Sequence, residues 1–183
     1  MLLRKKFQLY SAGLMIALLA CAPALAQLKA GAAAPSFTAP AALAGQTYNF
    51  VLAEALKKGP VVVYFYPKAF TSGCTIEAQL FAEATDKFAS LKATVIGVSG
   101  DDIETLKKFS LGPCGGKFAV AADLNRSIIK AYDAGMLIMP SMASRISYVV
   151  TPDSKILFVH SGMSPDQHVS STLAALQAWQ AKR

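Results

Sequence analysis

Val61-Val62-Val63-Tyr64-Phe65-Tyr66-Pro67-Lys68-Ala69-Phe70-Thr71-Ser72-Gly73-Cys74 is the stretch from which the rest of the chain can be read. Its first six residues are apolar or aromatic without alternation, the pattern of a strand covered on both faces of a sheet. Pro67 closes that run, because proline offers no backbone donor to a ladder. From Cys74 and Thr75 to about Ser90, Ile76, Leu80, Phe81, Ala84 and Phe88 fall on one side of a predicted helix. Cys74 is therefore expected at a strand-to-helix turn, at a helix N-terminus. Unpaired N–H groups and the helix dipole favour an anion there. This is one way to turn a thiol into a thiolate nucleophile.

Pro67, Thr71 and Cys74 form a Pro-x3-Thr-x2-Cys motif that resembles the active-site signature of the peroxiredoxins, thiol peroxidases of thioredoxin-like fold. Tyr64-Phe65-Tyr66-Pro67, Thr71-Ser72-Gly73-Cys74-Thr75 and Glu77-Ala78 are together most similar to the bacterioferritin-comigratory, or Q-type, subfamily. The resemblance runs from Ala34-Pro35-Ser36-Phe37 to about Val159. It implies an α/β fold with a central mixed β-sheet flanked by helices.

Read outward from this stretch, the remaining pattern agrees with α/β layers. Ala30 to Pro40 reads as a lead-in segment, and Gly45 to Asn49 as a turn and short strand. Val51 to Lys58 reads as a helix stopped by Gly59-Pro60. Thr94 to Val98 is a second buried strand. Asp101, Asp102 and Glu104 place acids in the first turn of a helix reaching about Leu111. Gly112-Pro113-Cys114-Gly115-Gly116 is a loop by composition, followed by a short strand candidate at Phe118 to Ala122 and a helix at Arg126 to Tyr132. Gly135 to Ser144 is irregular. Ile146 to Val150 and Ile156 to Val159 flank Thr151-Pro152-Asp153-Ser154 as a hairpin. Pro165 to Ala181 is a closing helix with Val169, Leu173, Leu176 and Trp179 inward.

The N-terminus reads as a secretory signal peptide over 1–26. Arg4, Lys5 and Lys6 precede an apolar run centred on Leu14 to Leu19, and Ala24-Leu25-Ala26 is a small-x-small cleavage site. Export to a bacterial periplasm is the expectation, with residues 27–183 as a single domain. A lipoprotein reading would attach lipid at Cys21, but Leu19 is an unusual residue in such a box. Beyond residue 26 there remain 15 basic and 11 acidic residues, a net charge of +4. No basic run suggests nucleic acid. His160 and His168 are the only histidines and the cysteines lack zinc spacing, so neither a metal nor another cofactor is expected, and both histidines read as surface or packing residues.

The resemblance implies reduction of a hydroperoxide. A Cys74 thiolate would attack a peroxide oxygen and become a sulfenic acid. Thr71 would hydrogen-bond the sulfur or the peroxide, Pro67 would shape and shield the loop, and Arg145, opening a late strand, would supply a nearby cation. In many Q-type relatives the resolving cysteine lies five residues after the first, where this chain has Gln79. Cys114 is the remaining candidate between residues 27 and 183. An external thiol, an intermolecular disulfide or a passive Cys114 stay open as alternatives. The implied partners are a hydroperoxide and a thioredoxin-like or other thiol reductant, with the chain a monomer or homodimer. Two rival readings remain. A thiol–disulfide oxidoreductase would need Cys-x-x-Cys at this turn, and Thr71 stands where the first cysteine belongs. A thioredoxin-fold binding module would leave Pro67, Thr71, Cys74 and Arg145 unexplained together.

Overall fold

The chain, seen here as a computed structural model, is described over residues 27–139 and 141–183; the expected leader over 1–26, with Cys21, lies outside the described residues. The strands are β1 (Thr38–Leu43), β2 (Gln46–Val51), β3 (Val61–Phe65), β4 (Thr94–Ser99), β5 (Ala119–Ala122), β6 (Ile146–Val150) and β7 (Ile156–Ser161). The helices are α1 (Leu52–Leu56), α2 (Ser72–Glu83), α3 (Thr85–Ser90), α4 (Ile103–Leu111), α5 (Ser127–Ala131) and α6 (Pro165–Gln180). All the strands join one mixed sheet in the order β2-β1-β5-β4-β3-β6-β7. β3, β4 and β5 are parallel, whereas β6 runs antiparallel to β3.

The uniform apolar run in β3 has the expected cause. Val61, Val63 and Phe65 enter one core with Ile96, Val98, Tyr132 and Tyr148. Val62, Tyr64 and the following Tyr66 enter a second core with Phe81, Phe88, Phe109, Val120 and Leu176. Cys74 and Cys114 belong to the second core. Each large apolar side chain removed from water there contributes on the order of 1.5–3 kcal/mol before the entropy of ordering it.

Several local expectations are corrected. β1 begins inside the Ala30 to Pro40 stretch that read as a lead-in segment and runs on to Leu43; its Thr-Ala-Pro-Ala-Ala-Leu sequence has weak strand propensity, and pairing with β2 and β5 supplies the order. The helix after Cys74 is two helices. Ala84 departs from ideal helical geometry between them, and the Thr85 hydroxyl donates to the Phe81 carbonyl at 3.1 Å, a back-bond that bends helices. Ile76, expected inward, is half exposed. On α6 Leu176 is buried as expected, but the other buried residues are His168 and Thr172, each one position before the expected Val169 and Leu173, which are half-buried.

Candidate active site

The register of two antiparallel strands places the site. Phe65, the last residue of β3, pairs with Ile146, the first of β6. Arg145 thus sits just beyond the end of β3, where the chain turns through Pro67 into α2. Cys74 is the third residue of that helix and is 2% exposed. Arg145 is buried too, and its Nη2 donates to Cys74 Sγ at 3.5 Å. Gly73 permits this approach, because a Cβ there would stand 3.0 Å from Arg145 Nη2. The expected pairing of Cys74 with a guanidinium at a helix N-terminus is therefore present in the fold.

The loop between β3 and α2 is held from outside. Asp101, after β4, accepts from the Ala69 N–H at 2.7 Å and from the Ser99 hydroxyl at 2.8 Å through the same Oδ2. Phe70 takes a positive φ of 64°, uncommon for a bulky residue, and its ring meets Phe109 of α4 edge-on at 5.2 Å. Thr71 occupies the N-cap position with extended backbone, and its carbonyl accepts from the Thr75 N–H at 2.9 Å. Its side chain makes no capping bond. The exposed Thr71 hydroxyl donates to the Lys68 carbonyl at 3.0 Å, in place of the expected bond to sulfur. Pro67 is half-buried at the mouth of the loop.

Behind Cys74 lies a buried polar group whose side-chain partnerships the sequence did not disclose. Glu77, one turn further along α2, bonds Arg145 Nη1 through Oε2. Its other oxygen, Oε1, is buried without a hydrogen-bond partner and lies 3.8 Å from His168 Nδ1. His168 Nδ1 is 2.8 Å from the Ser147 hydroxyl, and Nε2 is 3.0 Å from the Gly162 carbonyl. A carbonyl can only accept, so Nε2 carries the hydrogen and Nδ1 accepts from Ser147. Burial pushes Glu77 up to about 8 despite the opposing pull of Arg145. Burial likewise pulls His168 down to about 4, so the imidazole is neutral at pH 7. His168 is thus a packing residue as expected, but inside a polar network rather than an apolar contact. Glu77 falls three residues after Cys74, a helical neighbour spacing that marks it as facing the same side.

Cys114 is fully buried and free, as is Cys74. It follows α4 in a turn where Gly115 and Gly116 adopt positive φ and the Cys114 N–H donates to the Phe109 carbonyl at 3.2 Å. Burial holds its thiol well above the usual range, so it is protonated and unreactive where it sits. Cys114 and Cys74 share one core with Tyr64, Tyr66 and Phe109.

Comparison with known proteins places the chain in a family. The AhpC/TSA family matches residues 30–159. A chloroplastic peroxiredoxin Q of Oryza sativa subsp. japonica is 33% identical over 153 residues, which is 81% of this chain and 66% of the rice protein's length. The crystal structure of the peroxidoxin BcpB from Mycobacterium tuberculosis superposes with a TM-score of 0.75 at 30% identity, covering 82% of this chain and 97% of that one. A Xanthomonas campestris peroxiredoxin Q structure gives 0.67 at 26% identity, covering 76% and 89%. The mixed sheet flanked by helices is the thioredoxin-like architecture expected from the sequence. The chain belongs to the AhpC/TSA family, as a peroxiredoxin of the Q type.

Proposed function

We propose that the protein is a thiol-dependent peroxidase that reduces hydrogen peroxide and organic hydroperoxides at Cys74. The observation that carries this reading is the 3.5 Å contact between Arg145 Nη2 and Cys74 Sγ at the first turn of α2. The helix dipole and the guanidinium both favour sulfur as an anion. The sulfur pair attacks the hydroxyl oxygen of R–O–O–H and the O–O bond breaks. The R–O oxygen leaves with that bond's electrons and takes a proton, giving an alcohol or water. Sulfur is oxidised to a sulfenic acid. Thr71, at the N-cap three residues before Cys74, is the candidate donor to the incoming peroxide, and half-buried Pro67 is the candidate for shielding the sulfur.

The Cys114 thiol then displaces the sulfenic hydroxyl as water, leaving a Cys74–Cys114 disulfide that an external thioredoxin-like or other thiol reduces. The turn from 112 to 117 must open first, since Cys114 is buried and protonated. Intact-mass spectrometry after one equivalent of peroxide tests both steps. A monomeric species two hydrogens lighter with Cys74 linked to Cys114 is expected; a persisting sulfenic acid contradicts resolution by Cys114. Export is part of the same proposal and rests on the Arg4–Ala26 leader pattern. A mature mass beginning at Gln27 is expected on expression in a bacterium with a periplasm. Retention of 1–26, or lipid on Cys21, contradicts it.

A further inference from the structure

We infer that Cys74 and Glu77 share a single proton, so that Glu77 is a carboxylic acid while Cys74 is a thiolate and becomes a carboxylate when Cys74 is oxidised. This rests on the peroxidase reading of Cys74 and adds a role for a residue that the reading leaves unused. Two acids, the Cys74 thiol and the fully buried Glu77 carboxyl, touch the same guanidinium from two sides, Nη2 on sulfur and Nη1 on Oε2. Among the described residues no other permanent cation contacts either acid. Two buried anions on one cation leave an uncompensated charge, and like charges at such range do not both ionise readily.

The free oxygen of Glu77 makes the same point independently. Oε1 has no donor, yet it faces the lone-pair side of His168 at 3.8 Å. His168 cannot donate there, because its hydrogen is on Nε2 toward Gly162 and its Nδ1 is taken up by Ser147. An ionised Oε1 would be a buried acceptor opposite another acceptor, and a proton on the carboxyl removes that uncompensated charge. The groups around Glu77 are Cys74 on α2, Arg145 before β6, His168 on α6 and Tyr64 on β3, with the ring of His160 of β7 edge-on to that of His168 at 4.6 Å. Arg145 is the one permanent cation among these groups, His168 is neutral at pH 7, and the upward displacement of Glu77 by burial has the same direction.

The proton count then closes across the reaction. Before it, the thiolate, the neutral Glu77 and Arg145 sum to zero. Sulfur attack forms the S–O bond and breaks O–O, and the departing oxygen takes up one proton. Glu77 releases one, which keeps the buried charge at zero once sulfur is a neutral sulfenic acid. Arg145 then pairs with the Glu77 carboxylate alone and frees the Cys74 side chain. Glu77 acts through Arg145 and is a positioning residue rather than a catalytic one.

Infrared difference spectroscopy reads this directly. The experiment uses the Cys114→Ser protein, which holds the sulfenic acid, with one equivalent of hydrogen peroxide at pH 7. Loss of one protonated-carboxyl band per chain on oxidation is expected. That band should move on labelling with 13C-glutamate and be missing in Glu77→Gln. The label keeps the assignment secure should the Gln variant fold poorly. Sulfenic acid on Cys74 with no carboxyl band in the reduced protein, or with a band indifferent to peroxide, overturns the shared proton while leaving the peroxidase reading standing. Peroxide that leaves Cys74 unoxidised overturns both.

Discussion

Cys74→Ser is expected to lower peroxide turnover by about a thousandfold or more, the scale on which enzymes lose rate when their nucleophile is removed. Serine nearly matches the volume of cysteine, so the first turn of α2 and the packing on Ala78 and Phe81 should survive the change. A serine hydroxyl is not ionised near neutral pH, and neither the dipole of α2 nor Arg145 can close that gap. Circular dichroism and the melting temperature should therefore stay close to wild type while turnover disappears. Turnover equal to wild type would remove Cys74 from the chemistry and revive the binding-module reading.

Arg145→Met has the second largest expected effect, and it acts in two ways that can be separated. Loss of the guanidinium removes the cation beside sulfur, which should cost about a hundred- to a thousandfold in the rate of peroxide reduction, as for other preorganised charge contacts. It also leaves Glu77 buried without its partner. Breaking a buried pair from one side typically destabilises by about 3–5 kcal/mol. Part of that cost is avoided here, because on the shared-proton inference Glu77 is already a neutral acid in the reduced protein and leaves no buried carboxylate behind. The double change Arg145→Met with Glu77→Gln should recover most of the lost stability, measured by urea unfolding, and none of the lost rate. Recovery of both would mean that Arg145 serves only to neutralise Glu77.

The sequence disclosed those features whose cause is local. The unbroken apolar run Val61 to Tyr66 reads as a central strand because both of its faces are covered, and Pro67 and Cys74 mark the turn that follows. Arg145 was legible only through the family resemblance, since its partner lies 71 residues earlier and the contact depends on the pairing of β6 with β3. β1 was missed because alanine and proline carry no strand signal of their own; the neighbours β2 and β5 impose the extended backbone. Glu77 appeared in the motif, but its ion pair could not, because it takes an antiparallel register to bring Arg145 to α2. His168 is hidden for a related reason. One position of rotation about α6 decides whether it meets water or Glu77, and that rotation is set by packing on α2 and β6. Asp101 shows the same limit. Its spacing marks a helix start, which its neighbour Asp102 caps by accepting from the Thr105 N–H, while Asp101 itself holds the loop before α2.

The most direct measurement of the central claim follows the first prediction to its atom. Reduced protein is mixed with one equivalent of hydrogen peroxide in the presence of a sulfenic-acid trap, and the peptides are read by mass spectrometry beside Cys74→Ser. The account predicts that the first oxygen appears on the Cys74 peptide of the wild type, with peroxide consumed in step. Peroxide consumed while Cys74 stays a thiol, or consumed equally by Cys74→Ser, would contradict it.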